Sequence, residues 1–218
     1  MHPRYTDSGV FIALEGGEGG GKSTQSRLLH DWLTAQGTPV LLTREPGGTE
    51  VGARLRSIVL DPATGDLSPR TEALVYAADK AEHVDAVVLP ALERGEVVVT
   101  DRYVDSTLAY QGAGRAIDAG ELEHVARWAT ADLRPHLTVV LDLDPTVGLS
   151  RAGEPDRIEA EPLDFHQRVR EHFLTLAAAD PAHYLVLDAD QPPEVVHAAI
   201  RAAVEPWLGQ ARRDGGDL

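Results

Sequence analysis

Near the amino end stand eight residues, Gly16-Gly17-Glu18-Gly19-Gly20-Gly21-Lys22-Ser23, with the spacing G-x-x-x-x-G-K-[ST]. Each residue type has a chemical use at its place. Glycines let the backbone turn through conformations closed to other residues, so several N–H groups converge on one anion. A helix starting directly behind them adds unsatisfied N–H groups and its positive dipole end. Lys22 supplies a mobile point charge for β- and γ-phosphates, and Ser23 offers a hydroxyl to Mg²⁺. The plain alternative is a glycine turn between two elements. Lys22 is one of only two lysines in a chain with 18 arginines, which weighs against that reading. The motif predicts a bound nucleoside triphosphate.

Three further segments look chemical. Thr43-Arg44-Glu45-Pro46-Gly47-Gly48-Thr49 follows an apolar run, and so does Asp101-Arg102-Tyr103, which leads into Ser106, Thr107, Tyr110, Gln111 and Gly112. Ligands gather at such strand ends in parallel sheets. Asp101, closing a Val-rich run, resembles the Walker B carboxylate that holds Mg²⁺ directly or through water. It also suits a helix N-cap, and Arg44–Glu45 also suits a solvated pair beside a turn. The third segment, Arg151-Ala152-Gly153-Glu154-Pro155-Asp156-Arg157-Ile158-Glu159, is polar and carries Gly153 and Pro155. It reads as a short lid over about residues 150–160, or as an exposed loop with two solvated arginines.

Something must position these groups. Five short runs rich in Val, Leu or Ile recur at 10–14, 40–43, 97–100, 137–143 and 184–187. None alternates cleanly, as expected of strands buried on both faces of a parallel sheet. Between them lie helical stretches: 26–35, 71–94, and Phe165, Val169, Phe173 and Leu176 at three- and four-residue steps. Strand alternating with helix predicts an α/β doubly wound sheet with right-handed crossovers. The 218 residues suffice for one domain with a lid, spanning 1–218, and the polar stretch 210–218 is expected to fray.

Composition narrows the chemistry. The net charge is −15 (20 basic, 35 acidic residues), a poor footprint for nucleic acid or an acidic membrane. Cysteine is absent, which excludes disulfides, thiolate metal sites and cysteine nucleophiles. The start is polar without an apolar h-region, and no apolar run approaches a membrane span. A reduced, cytoplasmic protein is expected. The nine histidines form no His-x-x-x-His pair with a suitable acid and read as surface or cap residues. GTPase switches, motors and small-molecule kinases all share the phosphate loop. The guanine-reading Asn-Lys-x-Asp of a GTPase is missing, since neither Lys22 nor Lys80 has that context.

Four segments, 11–24, 43–49, 101–112 and 156–159, occur together, in order and at plausible spacing. In them the chain resembles the thymidylate kinase family, the dTMP kinase branch of the nucleoside monophosphate kinases. The resemblance runs from about Phe11 to Trp207. It implies a five-stranded parallel sheet of the P-loop NTPase type flanked by helices, and the reaction MgATP + dTMP → ADP + dTDP. It implies that Gly16, Gly17, Glu18, Gly19, Gly20, Gly21, Lys22, Ser23 and Thr24 hold ATP. Arg102 and Arg56 would bind the acceptor phosphate, Glu45 would lie near the acceptor sugar and phosphate, and Asp101 would stand beside the metal. Thr107 and Gln111 would face thymine, with Tyr103 and Tyr110 near the deoxyribose. The stretch 71–80 also matches, with two departures: Tyr76 where the family usually has Phe, and Lys80 where it usually has Arg. Tyr76 would stack on thymine. Lys80 would donate to a thymine carbonyl without a planar fork, or else pair with Asp79 or Glu72 on a helix surface.

Some family members carry a catalytic arginine in the phosphate loop. Here that position is Gly19, so the resemblance is to the subclass with lid arginines, and Arg151 and Arg157 are expected to close onto the ATP phosphates. The lid is shorter than in that subclass, which bears on Arg151 more than on Arg157. A homodimer is also implied, with 71–94 and the helix after Asp105 as candidate faces. Competing readings are another nucleoside monophosphate or deoxynucleoside kinase and a non-catalytic nucleotide-sensing module.

Overall fold

Five parallel strands form one sheet in the computed structural model, which describes residues 4–115, 117–151 and 155–214, with side chains described to residue 209. The strands are β1 (Val10–Glu15), β2 (Val40–Arg44), β3 (Val97–Asp101), β4 (Leu137–Asp142) and β5 (Tyr184–Asp188), in the order β2-β3-β1-β4-β5. β1 pairs with β3 on one side and β4 on the other. The order therefore reverses at β1, and the crevice at its carboxyl end is where such a sheet takes ligands.

The helices are α1 (Lys22–Ala35), α2 (Glu50–Leu60), α3 (Pro69–His83), α4 (Leu89–Glu93), α5 (Val104–Thr107), α6 (Ala119–Ala129), α7 (Pro145–Arg151), α8 (Leu163–Ala179) and α9 (Pro193–Asp214). Wider π-type turns join α3 to α4 at Val84–Val88 and continue α5 through Leu108–Gly114. The stretch 71–94 is thus one helical rod whose middle is widened. Helix α9 reaches Asp214, so part of the tail expected to fray is helical; 215–218 lie outside the described residues. Among the described residues no helix is long and apolar enough to cross a membrane.

Both faces of the sheet are covered. Ile12, Leu14, Val99 and Val139 pack with Leu29 and Leu33 of α1 and Ile200 and Val204 of α9. Phe11, Ala13 and Val98 pack on the opposite face with Val88, Leu92, Val104 and Leu133. A third cluster joins Tyr110 and Val140 to Phe165, Val169 and Phe173 of α8. The segment after Asp105 is buried inside the chain and so cannot be the dimer face suggested for it. Large apolar side chains stay exposed elsewhere: Leu74 on α3 is 60% exposed and Trp128 on α6 is 77% exposed.

Candidate active site

The loop between β1 and α1 is built around its glycines. Gly16, Gly19 and Gly21 have φ of 128°, 66° and 85°, a region costly for side-chained residues. Space forbids a side chain too. A Cβ on Gly19 would sit 2.3 Å from the carbonyl oxygen of Gly148 on α7, and one on Gly148 would sit 2.2 Å from that of Glu18. Helix α7 therefore rests directly on the loop. Lys22 folds back over it, donating to the carbonyls of Gly16 (3.1 Å) and Gly17 (2.6 Å). Burial and the nearby Arg102 push its ammonium below the ordinary lysine range. Ser23 Oγ donates to Asp101 Oδ2 at 2.5 Å, joining the first turn of α1 to the end of β3.

These groups open onto a cavity of about 440 Å³. Six of the chain's 20 basic residues line it: Lys22, Arg44, Arg56, Lys80, Arg102 and Arg151. Five carboxylates, Glu18, Glu45, Asp101, Asp156 and Glu159, line it too, so the hollow holds a slight excess of basic groups in a chain of net charge −15, a local balance that suits an anion. Burial, and then the like charge of Arg44, push Arg56 below its ordinary value, a crowding that a phosphate dianion would relieve. Arg56 also donates to the carbonyl of Pro46 at 3.0 Å.

Arg102 holds a left-handed backbone, φ 71°. Its N–H donates to Leu14 O (2.9 Å), and its own carbonyl accepts from Thr100 Oγ1 (2.9 Å). The guanidinium is thereby turned toward the loop, donating to Gly16 O at 3.0 Å and Glu18 Oε1 at 2.7 Å. Tyr110 donates its hydroxyl to the same Glu18 oxygen at 2.6 Å. Burial works to raise the Glu18 carboxyl, but Arg102 and Lys22 hold it down to about 2.

A wholly buried ion cluster stiffens the other wall. Glu45 Oε2 accepts from Lys80 Nζ and Oε1 from His83 Nδ1, both at 2.7 Å, while His83 Nε2 lies 2.7 Å from Thr43 Oγ1. Burial works to raise the Glu45 carboxyl, but Lys80 and His83 hold it below its ordinary value. Lys80 is therefore neither a surface residue nor paired with Asp79 or Glu72. His83 is no surface or cap residue either: it is fully buried.

Tyr76, Thr107, Tyr110 and Gln111 line the same cavity. The Thr107 hydroxyl is buried without a partner among the described residues. Tyr103 is different: it lies in the core, edge-on to Phe11 at 4.9 Å, and its hydroxyl donates to Leu133 O at 3.2 Å. It does not line the cavity, because its ring belongs to the core cluster on the Phe11 face of the sheet. The lid arginines also part company. Arg151 lines the cavity, reaching Gly19 O at 3.4 Å and Asp190 Oδ1 at 2.6 Å. Arg157 points away, to Val59 O at 2.7 Å and to the Glu72 carboxylate. Lid residues 152–154 lie outside the described residues.

Sequence reasoning missed His83, Glu72 and Glu15. Glu15 ends β1 and accepts from Tyr103 N, Ser106 N and Ser106 Oγ at 2.8, 3.1 and 2.6 Å. Burial and the neighbouring Asp105 push its carboxyl up to about 7. The available signal was a carboxylate closing an otherwise apolar run.

The profile of the thymidylate kinase family matches residues 14–200. The chain is 57% identical over 202 residues to the thymidylate kinase of Cutibacterium acnes (strain DSM 16379 / KPA171202), covering 93% of this chain and 99% of that one. It is 56% identical over 199 residues to that of Clavibacter sepedonicus, covering 89% and 94%. In three dimensions it resembles the crystal structure of thymidylate kinase from Ehrlichia chaffeensis, with a TM-score of 0.77 and 30% identity over 91% of this chain and 99% of that one. A glycine-rich loop opening on a hollow with six basic residues at the switch point of a five-stranded parallel sheet, with likeness of this extent, identifies the chain as a member of the thymidylate kinase family.

Proposed function

We propose that the protein transfers the terminal phosphoryl group of ATP to dTMP, giving ADP and dTDP on the way to dTTP. One observation carries the reading: a single cavity is lined both by the glycine-rich loop with Lys22 and Ser23 and by Arg56 and Arg102 together with Tyr76, Thr107 and Gln111. Two polyanions meeting there need in-line alignment and positive charge around the migrating group. Lys22 and the loop N–H groups of Gly16 to Thr24 bind the donor phosphates. Arg102 and Arg56 hold the acceptor phosphate. Arg151 faces the donor side, and Arg157 joins it only if the lid rearranges. Glu45 orients Lys80, whose remaining N–H groups meet no acceptor among the described residues and can serve a base carbonyl in the cavity that Lys80 lines. Tyr76 stacks on the base, Thr107 and Gln111 read its edge, and Tyr110, pinned through Glu18, crowds a ribose 2′-hydroxyl.

Ser23 Oγ and Asp101 Oδ2, adjacent hard oxygens at the loop, fit Mg²⁺. That ion usually binds through one or two protein oxygens plus phosphates and water. Among the described residues no three His, Asp or Glu side chains converge on a metal site of their own. Magnesium arriving with ATP would supply neutralisation of the phosphate charge.

Exposed Leu74 and Trp128, on helices α3 and α6 that pack together, support a homodimer through that face; light scattering in solution tests it. Absence of cysteine supports action in the cytoplasm. The activity is tested by coupled ADP release against dTMP, dUMP, UMP and CMP. Turnover strongest with dTMP is expected; no turnover with dTMP, or a faster rate with UMP or CMP, overturns the reading.

A further inference from the structure

Glu72 of α3 is fully buried and lies behind the cavity wall. Both its oxygens are saturated. Oε1 accepts from Gln111 Nε2 at 2.9 Å and Arg115 Nε at 3.1 Å, and Oε2 from Arg115 Nη2 at 3.2 Å and from Arg157 Nη2. Burial works to raise this carboxyl, but Arg115, Gln111 and Arg157 hold it below its ordinary value, so it stays ionised. An ionised carboxylate only accepts hydrogen bonds. It therefore dictates which end of the Gln111 amide turns toward it: the NH₂ end. The Gln111 carbonyl oxygen is left over, and among the described residues no hydrogen bond reaches it.

We propose that Glu72 is a positioning residue for base selection, locking Gln111 so that the cavity presents a fixed hydrogen-bond acceptor. A fixed acceptor suits a pyrimidine whose ring nitrogen carries N–H, as thymine and uracil do. It opposes cytosine, whose corresponding nitrogen is itself an acceptor. Thr107 cannot make this distinction, because a hydroxyl turns to donate or accept. The amide could flip equally freely were it not anchored. The inference rests on the reading above, that the base enters the cavity beside Gln111.

Replacing Glu72 by Gln tests it sharply. Two arginine bonds converge on the Oε2 position, so the new amide oxygen belongs there, and its NH₂ faces Gln111. Gln111 must then turn over and show N–H to the base. The dTMP to dCMP ratio of kcat/KM is expected to fall by about 10-fold or more, with KM for ATP little changed. The double exchange Glu72→Gln/Gln111→Glu restores an acceptor to the cavity, and the ratio is expected to recover. Looser packing or a freed Arg157 would slow both substrates alike, which a ratio does not register. An equal loss for both bases in Glu72→Gln overturns the proposal. If that variant does not fold, Glu72→Asp replaces it. Its shorter carboxylate still serves the arginines but draws back from Gln111, and the ratio is expected to fall by about threefold; an unchanged ratio overturns the proposal. Gln111→Leu separates the two levels. If KM for dTMP and the ratio both stay put, the base lies elsewhere and the reading of the site fails. If KM for dTMP rises with the ratio intact, the base is there and Gln111 does not select it.

Discussion

Glu18 Oε1 lies 2.7 Å from Arg102 Nη2, so a carboxylate of the glycine-rich loop grips the guanidinium that reaches it from just beyond the end of β3. The grip has a pH signature. The Glu18 carboxyl sits at about 2 against an ordinary 4.5. Its contribution to stability is complete above about pH 4.5 and disappears as the pH falls toward 2, because the unfolded chain takes up the proton first. The full shift corresponds to at most about 3 kcal/mol, reduced by solvent screening. Urea unfolding of wild type and Glu18→Gln should show a gap at pH 7 that narrows by pH 3. A gap independent of pH would refute the assignment.

Arg151 and Arg157 should separate by kinetics. Arg151 faces the loop, so Arg151→Ala is expected to lower kcat by about 10³-fold, the scale for an arginine that neutralises transferring phosphoryl charge. Arg157→Ala removes one of two arginines on Glu72 and is expected to cost about 1–3 kcal/mol of stability. Single-turnover rates and thermal unfolding of both variants check this. A large kcat loss in Arg157→Ala with unchanged stability would mean that the lid refolds to bring Arg157 inward.

Gly148→Ala places a methyl 2.2 Å from the Glu18 carbonyl oxygen. Backbone cannot yield as a flexible side chain would, so α7 must back away from the loop. Stability is expected to fall by about 1–3 kcal/mol, with KM for ATP raised several-fold and KM for dTMP much less affected. Equal rises in both constants would show that the two halves are not independent.

Lys80→Met leaves Glu45 buried with His83 alone, and a loss of about 3–5 kcal/mol is expected. Lys80→Arg keeps the charge and tests the contact with the base: KM for dTMP should change. An unchanged KM and base preference would leave Lys80 with a purely structural part.

The strands were legible in the sequence to within about a residue, and the misses are instructive. The apolar runs stop at Leu14, Thr43, Thr100 and Leu187, whereas β1, β2, β3 and β5 continue to Glu15, Arg44, Asp101 and Asp188. Each strand ends in a polar residue at the carboxyl edge, where hydrophobic patterning gives no signal. The glycine-rich loop was legible because its signal is local: eight consecutive residues, Gly16 to Ser23, carry the spacing that places it between β1 and α1. The partners of Glu45 and Glu72 were not. Glu45 meets Lys80 and His83 across 35 and 38 residues of sequence, and Glu72 meets Arg157 across 85. Only packing of α3 against the sheet edge and lid brings them together. Tyr103 was misplaced for a related reason. Its neighbour Arg102 takes a left-handed turn, which no run of side chains announces.

That turn has a consequence for anyone redesigning the protein. Arg102 grips the loop through its charge, donating to Gly16 O and Glu18 Oε1, yet its backbone, at φ 71°, sits where L-amino acids are uncomfortable. Among the encoded residues glycine would relax the chain and forfeit the guanidinium, so evolution has no substitution that improves both. In Arg102→Gly the backbone is relieved while the side-chain bonds to Gly16, Ser106 and Glu18 are lost, so thermal unfolding of that variant reads which of the two demands weighs more.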